Sequence, residues 1–347
     1  MGMQIGIPTL VRIKPGALAR VGIYLARTGL ARPWLMWSAG LPAHIGTTLR
    51  TGLAHAEIEV AREHEVDDPS FERTAELLDD VPSGCGAIVG VGGGKTLDLA
   101  KYVAHLAGLP YVAVPTSLSN DGFASPTASL TLRGRRRSWP AKMPFGVVVD
   151  TEVAHGAPLA LWHSGVGDLV AKLTAVVDWK LAFHAMGTPV DDFAALLSDA
   201  TVHQFLARPA RDLEGVRLLA TALMLNGVAI GVAGSSRPAS GSEHLISHAL
   251  DATSARPRLH GLQVGVAALL CAKLQGRGDD APIEGLFEAT GFWASIERDP
   301  FVRTEWQAAL QKAPSMKDRF YTVLSEPGAV ERGRRLLNVP PLSRCFM

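Results

Sequence analysis

Cysteine is scarce in this chain: Cys85, Cys271 and Cys345 are the only three, widely spaced and without a CxxC pair. That argues against a disulfide framework or a zinc ribbon and for a reducing, cytoplasmic setting. An excess of charge of one sign is also missing. Thirty-four Lys+Arg against 33 Asp+Glu leave a formal net charge of +1, so the electrostatic footprint of a dedicated nucleic-acid binder is absent. The first residues, MGMQIGIPTLVRIKPG, lack a basic segment followed by an unbroken apolar run, which argues against a secretory signal, and they read as a first strand. A membrane span is not expected either. The stretch between Arg217 and Arg237 carries no charge and approaches the ~20 residues that cross a bilayer. Thr221, Asn226, Ser235 and Ser236, with Gly227, Gly231 and Gly234, dilute it, and it predicts a buried helix. No solenoid repeat or low-complexity tract is present.

With 347 residues, 47% hydrophobic and 19% charged, the chain is long and apolar enough for about two domains, each with its own core. Residues 1 to 150 alternate short β-rich runs with amphipathic stretches, the rhythm of a parallel sheet. The predicted strands are Pro8 to Ile13, Trp34 to Ser38, Ala56 to Val60, Ala87 to Val91, Tyr111 to Val114 and Gly146 to Val149, with helices at Ala17 to Thr28 and Thr96 to Ala107. Ala128 to Leu132, then Arg133 to Arg137, then Ser138 and Trp139 read as a hairpin with a basic tip. After Asp150 the β-rich runs cease. Residues 168 to 186, 192 to 206 and 285 to 295 carry helical periodicity, so a boundary is expected near 150, with an α/β domain over 1–150 and an all-helical one over 151–347.

The 35 glycines are the one unusual number. Gly90, Gly92, Gly93 and Gly94 sit between a buried strand and a helix. Bare backbone there can approach a phosphate while the helix N-terminus offers its N–H groups and dipole. A pyrophosphate suits this turn. A tight turn that needs glycine only for its own shape is the competing reading. Lys95 and Thr96 follow without the spacer of an ATP P-loop. The strand ending in Ser38, Ala39 and Gly40 has no acidic residue for a ribose, which leaves NAD and NADP both open.

A second polar turn, Thr116 to Pro126, follows the next strand on the same sheet edge. Its hydroxyls can hold a cofactor and Asp121 can bind a substrate hydroxyl, although Ser/Thr and Asx turns alone would also explain its composition. Further on, Asp168 follows Gly165 and Gly167 and is expected to open a helix, where a carboxylate can be a simple cap. His244 and His248, four residues apart, share a helix face, and His260 starts a further helix. Each histidine alone has an ordinary structural role open to it. As a set, two or three imidazoles and a carboxylate suit a divalent metal with a position left for substrate.

Taken in order, VGGGKTLDLAK (91 to 101), PTSLSNDGFASPTAS (115 to 129), SGVGDLVAKLTAVVDWKLA (164 to 182), GSEHLISHALD (241 to 251), HGLQVG (260 to 265) and KDRFYTVL (317 to 324) resemble the superfamily of iron-containing alcohol dehydrogenases, glycerol dehydrogenase and dehydroquinate synthase, and within it the sn-glycerol-1-phosphate dehydrogenase branch. The resemblance spans most of the chain from residue 85 onward. It implies a dehydroquinate synthase-like architecture, with a Rossmann-like dinucleotide-binding domain, an all-α C-terminal domain and an active site in the cleft between them. Carried over, Gly92, Gly93, Gly94, Lys95 and Thr96, with Asp98, would hold the pyrophosphate of NAD or NADP. Thr116, Ser117, Leu118, Ser119 and Ser125 would line the nicotinamide side. Asp168, His244 and His260 would bind one divalent metal, zinc in this branch. Asp121 and His248 would lie near substrate, His248 as a proton relay or as a hydrogen-bonding support for a ligand.

One departure stands out: Leu262 occupies a position where relatives commonly have Glu, so a carboxylate near His260 is lost. A cluster for a substrate phosphate is not evident; Lys172, Arg256 and Arg258 are candidates by neighbourhood, and Arg135 to Arg137 fit a solvated hairpin tip better. The implied activity is an NAD(P)- and metal-dependent interconversion of a small polyol phosphate and its ketone, sn-glycerol 1-phosphate and dihydroxyacetone phosphate first among them. The alternatives are a phosphate-eliminating sugar-phosphate cyclase that uses NAD transiently, a dehydrogenase of another polyol or secondary-metabolite alcohol, and a non-catalytic binding protein. The expected partners are a small phosphorylated substrate and a second copy of the chain in a homo-oligomer.

Overall fold

A computed structural model describes residues 6–347. Two compact units emerge. One takes the chain up to Leu118, then Gly122–Ala157 and Asp212–Gly231; the other takes Ser119–Asp121, Pro158–Arg211 and Val232–Met347.

The first unit holds a six-stranded sheet, β1 (Leu10–Lys14), β2 (Pro33–Ser38), β3 (Arg62–Val66), β4 (Ala87–Gly92), β5 (Tyr111–Pro115) and β8 (Gly146–Asp150), in the order β1-β8-β5-β4-β2-β3. Every pairing is parallel. Strands β4, β5 and β8 are buried at every position, which is why they read as unbroken apolar runs: a parallel strand covered on both faces has no polar side to alternate with. Helices α1 (Val21–Arg27), α2 (Ala43–His55), α3 (Phe71–Asp79), α4 (Gly94–Ala107) and α5 (Thr151–Gly156) connect or follow the strands. Leu25, Leu35, Leu49, Val89, Val112 and Val148 belong to the core that results.

The third strand lies at 62–66, not at 56–60. AEIEV and REHEV alternate alike, and the left-handed Glu57 (φ 56) turns the chain after α2, leaving Ile58 and Val60 packed on the core as a connection. The polar REHEV can take the sheet edge, where one side meets water. The hairpin pairs β6 (Thr127–Leu132) with β7 (Arg135–Pro140), and its tip is only Arg133 and Gly134, both left-handed. Arg136 and Arg137 belong to the strand rather than to the turn, as a two-residue turn with positive φ requires.

The second unit is helical: α6 (Leu159–Met186), α7 (Asp192–Leu206), α9 (Ser242–Thr253), α10 (His260–Gln275), α11 (Asp280–Thr290), α12 (Phe292–Glu297), α13 (Arg303–Lys312) and α14 (Ala329–Leu336). Residues 285–295 are not one helix, because Gly291 (φ 70) ends α11 in the left-handed region. Helix α8 (Leu213–Ala233), assigned from the sequence to the C-terminal part, groups with the α/β unit up to Gly231. Gly227 explains the close fit: a Cβ there would stand 2.5 Å from the backbone carbon of Ala124. This helix is long and apolar enough to cross a membrane, yet 72% of its most apolar window is buried within the protein.

Glycine also determines how α6 meets α10. A Cβ on Gly167 would lie 2.0 Å from Gly261 O, and one on Gly261 would lie 1.8 Å from Ser164 O. Gly165 and Gly167 therefore form no turn before Asp168: they lie inside α6, and Gly167 lets two helix backbones touch. Asp168 sits mid-helix rather than at a cap.

Candidate active site

The glycine turn joins β4 to α4. Gly92 is left-handed (φ +142), and a Cβ there would stand 1.9 Å from Ser38 Oγ. Ser38, at the end of β2, accepts a hydrogen bond from Gly93 N at 3.0 Å and shares one with Thr96 Oγ1 at 2.8 Å. Gly90 faces the Tyr111 hydroxyl, 2.9 Å from where its Cβ would be. The fold thus explains Gly90 and Gly92. It does not explain Gly93, whose φ of −87 suits any residue and whose Cβ would meet nothing within 4 Å. As N-cap of α4, Gly93 offers no side chain to the first turn, leaving bare backbone and helix N–H groups, the chemistry of an anion cradle.

Thr116 N donates to Gly92 O at 3.0 Å, which ties the polar turn to the glycine turn. Thr116, Ser117, Leu118 and Ser125 are all buried. The Ser125 hydroxyl is engaged inside its own loop, with Gly122 O and Thr127 Oγ1. Asp98 does not present a carboxylate at the turn; it is buried and takes Lys101 Nζ at 3.3 Å. Burial pushes its carboxyl up, and the Lys101 charge offsets part of that. Lys101 also donates to Gly122 O and to Thr127 O, so the pair fastens α4 to the polar loop.

In the helical unit, Asp168, His244 and His260 converge, each with a ligand atom within 4.8 Å of the others. Asp168 Oδ1 lies 3.6 Å from His244 Nε2 and 3.9 Å from His260 Nε2. It is buried and has no hydrogen-bond partner, while Oδ2 accepts from Asp121 N at 2.9 Å. The far nitrogens of both rings are engaged: His244 Nδ1 with Glu243 Oε1 at 2.9 Å, His260 Nδ1 with Ser247 Oγ at 3.1 Å. Those contacts turn Nε2 of each ring toward the orphaned oxygen, the outer support that metal-binding histidines need. Donors each about 2.1 Å from a tetrahedral ion stand roughly 3.4 Å from one another, close to the spacing found. The residues present fit a divalent metal.

Charge balance points the same way. Lys172, fully buried, is 3.0 Å from Asp121 Oδ2 and 3.5 Å from Asp168 Oδ1. With Glu243 beside His244, three carboxylates face a single ammonium. Burial alone would raise the Asp168 carboxyl, but Lys172 and then His244 reverse that and hold it well below the usual range. Asp121 moves up, from burial and from the charge of Asp168. Burial works against a charged His244, and contacts with Asp168 and Glu243 raise it nonetheless. A dication would relieve this excess of negative charge.

Other residues set the cluster in place. Gly241 has no room for a Cβ, which would be 2.7 Å from Asp178 Oδ2 and 2.9 Å from Glu243 Oε2. Asp178 accepts from Ser242 N at 2.7 Å and from Val323 N at 2.8 Å, fixing the start of α9. Burial and the charge of Glu243 push its carboxyl up to about 6. The ring of His248 lies 6.3 Å from that of His244 and stacks at 6.2 Å on that of His260. Leu262 is buried. Of the three phosphate candidates, Lys172 is enclosed by Asp121 and Asp168, and Arg256 and Arg258 both pair with Asp299. Glu243, Ser247 and Asp178 were not singled out from the sequence, although Glu243 adjoins His244 and an acidic neighbour of a ligand histidine is a usable signal.

Fold and site together define a metal-binding, dinucleotide-dependent alcohol dehydrogenase. Residues 12–158 match the iron-containing alcohol dehydrogenase family. The NAD(P)+-dependent glycerol-1-phosphate dehydrogenase of Methanothermobacter thermautotrophicus is 38% identical over 79% of this chain and 80% of that protein. The enzyme of the same name from Hyperthermus butylicus is 37% identical over 79% and 80%. Among solved structures, a probable glycerol dehydrogenase from Sinorhizobium meliloti superposes with a TM-score of 0.76 at 19% identity, over 97% of this chain and 98% of that one. The chain belongs to the iron-containing alcohol dehydrogenase family and, within it, to the glycerol-1-phosphate dehydrogenases.

Proposed function

We propose that the protein interconverts sn-glycerol 1-phosphate and dihydroxyacetone phosphate, with zinc as its metal and NAD or NADP as hydride carrier. The observation that carries the chemistry is the buried, unsatisfied Asp168 Oδ1 opposite two imidazole nitrogens. The substrate is supported by the relatives, which are named for it. Free Cys85, Cys271 and Cys345 suit a reducing cytoplasm.

Asp168, His244 and His260 would hold the metal. When bound, the ion supplies a Lewis acid for the substrate oxygen and the nicotinamide supplies or accepts hydride. Glu243 accepts from His244 Nδ1 and so leaves Nε2 as the ligand atom. Ser247 Oγ stands 3.1 Å from Nδ1 of His260 and, as acceptor, would leave that ring's Nε2 as the ligand atom. Lys172 supplies the counter-charge for Asp121 and Asp168 without spending it on substrate. Asp121 would orient a substrate hydroxyl, and the imidazole of His248 would take or return the proton of the reacting hydroxyl oxygen. Gly93 and the first N–H groups of α4 would receive the pyrophosphate.

Reduction of dihydroxyacetone phosphate by NADH or NADPH, with and without chelator, tests the proposal. Turnover that survives complete metal removal sinks the mechanism; absence of turnover with any polyol or its ketone sinks the class.

A further inference from the structure

We propose that Gln263 is a positioning residue for the metal: its amide clamps together the two helices that carry His244 and His260, and it holds Ser247 against the His260 ring. Helix α10 opens with HGLQV, so His260 and Gln263 are its first polar side chains and, three residues apart, share a face. Leu262, between them, has no polar atom to offer. On α9, Ser247 and Asp251 stand four apart and share a face in the same way. The Gln263 amide, 1% exposed, bridges the two rows. Its Nε2 donates to Ser247 Oγ at 3.0 Å and to Asp251 Oδ1 at 3.0 Å, while Oε1 accepts from Arg258 N at 2.9 Å.

The amide can point only one way. A backbone N–H donates and a carboxylate accepts, so Arg258 N selects Oε1 and Asp251 selects Nε2. Both N–H groups of Nε2 are then engaged, one by each side chain of α9. Ser247 Oγ is in turn 3.1 Å from His260 Nδ1, which places the amide two hydrogen bonds from the ring of a ligand. The far end is held as well: the Arg258 guanidinium donates to Asp299 Oδ1 at 2.9 Å and to Pro300 O at 3.0 Å, which fixes the loop that delivers His260. A serine hydroxyl has several staggered rotamers open to it, and the Gln263 N–H favours the one that faces His260. Without that N–H, Ser247 is free to turn away and the ring loses the partner of Nδ1. The polar atoms of Gln263 bond no ligand directly, so the residue acts through Ser247.

Zinc affinity, measured by competition with a chromophoric chelator, tests the inference on wild type, Gln263→Leu, Ser247→Ala and the double variant. The visible bands of the cobalt-substituted proteins give a second reading. Gln263→Leu should bind zinc roughly tenfold more weakly, the loss expected when an outer partner of a ligand histidine is disturbed, and its cobalt bands should shift as those of Ser247→Ala do. Because the amide acts through Ser247, adding Gln263→Leu to Ser247→Ala should weaken zinc binding further by no more than about twofold. Gln263→Glu keeps an acceptor for Arg258 N and loses the donor toward Ser247. It should weaken zinc binding like Gln263→Leu, and it carries the test should the apolar variant fail to fold. Wild-type zinc affinity with wild-type cobalt bands in these Gln263 variants overturns the inference, as do fully additive losses in the double variant, which would make the amide a packing element alone. The inference rests on the proposed ligand triad. A wild type that takes up no zinc sinks that triad and the inference with it, whereas a wild type and a Gln263→Leu protein that load equally well sink the inference alone.

Discussion

Lys172 and Asp121 meet as a buried ion pair, Nζ to Oδ2 at 3.0 Å, and the same amine lies 3.5 Å from Asp168 Oδ1. One fully buried ammonium thus serves two carboxylates, that of Asp168 buried with it and that of Asp121 still 15% exposed. Breaking a buried pair from one side leaves an uncompensated charge, worth about 3–5 kcal/mol. Lys172→Met should therefore lower stability by that order in chemical denaturation of the metal-free protein. Adding Asp121→Asn to it should recover part of the loss, since one of the stranded charges is then gone. A Lys172→Met protein as stable as wild type would show that the amine is not the counter-charge it is described as.

The metal ligands make a second prediction. Asp168→Asn and His260→Ala should each leave the purified protein without stoichiometric metal by elemental analysis. Glu243→Gln keeps the three ligands and weakens the partner of His244 Nδ1, so metal should still bind, roughly 10–100-fold more weakly. Equal metal content in all three variants and wild type would mean the triad holds no ion.

Gly92 and Gly93 should separate shape from function. Gly92→Ala places a Cβ 1.9 Å from Ser38 Oγ at a φ of +142, and strain of this kind costs on the order of 1–3 kcal/mol or more. Gly93→Ala meets nothing inside the protein. It should melt like wild type and bind NADH or NADPH at least about tenfold more weakly, because the added methyl occupies the space a pyrophosphate needs. Normal cofactor binding by Gly93→Ala in a fluorescence titration would remove the turn from the cofactor site.

How much of this could be read in the sequence differs by element. The central strands were legible, because Ala87–Val91, Tyr111–Val114 and Gly146–Val149 are apolar on both faces and bounded by turn residues. The edge strand was not: EIEV and EHEV carry the same alternation, and only the turn at Glu57 decides between them. His244 could be placed on a helix and His260 at the start of another, but their meeting with Asp168 depends on Gly167 and Gly261 bringing α6 onto α10. Glycines read locally as a turn cannot report a contact almost a hundred residues away.

The pH dependence follows from Lys317. Its folded value of about 8 lies below the ordinary 10.5, so between those values the unfolded chain holds a proton the folded one has released. The contribution to stability is therefore fully present above about 10.5 and is lost as pH falls through about 8. With Arg237 and Glu243 as the charged neighbours that act on it, chemical denaturation should show stability gaining this contribution as pH climbs from about 8 toward 10.5. The gain should vanish in Lys317→Met, which has no amine to titrate. Equal pH dependence in wild type and Lys317→Met across that range would show that folding does not displace the amine's titration.

The most direct test of the account is reduction of dihydroxyacetone phosphate by NADH or NADPH, followed by nicotinamide absorbance while bound metal is measured in the same samples. Turnover should rise in proportion to metal content, disappear with chelator and return when zinc is restored. Full turnover in metal-stripped protein, or none in protein loaded with metal and cofactor, would contradict it.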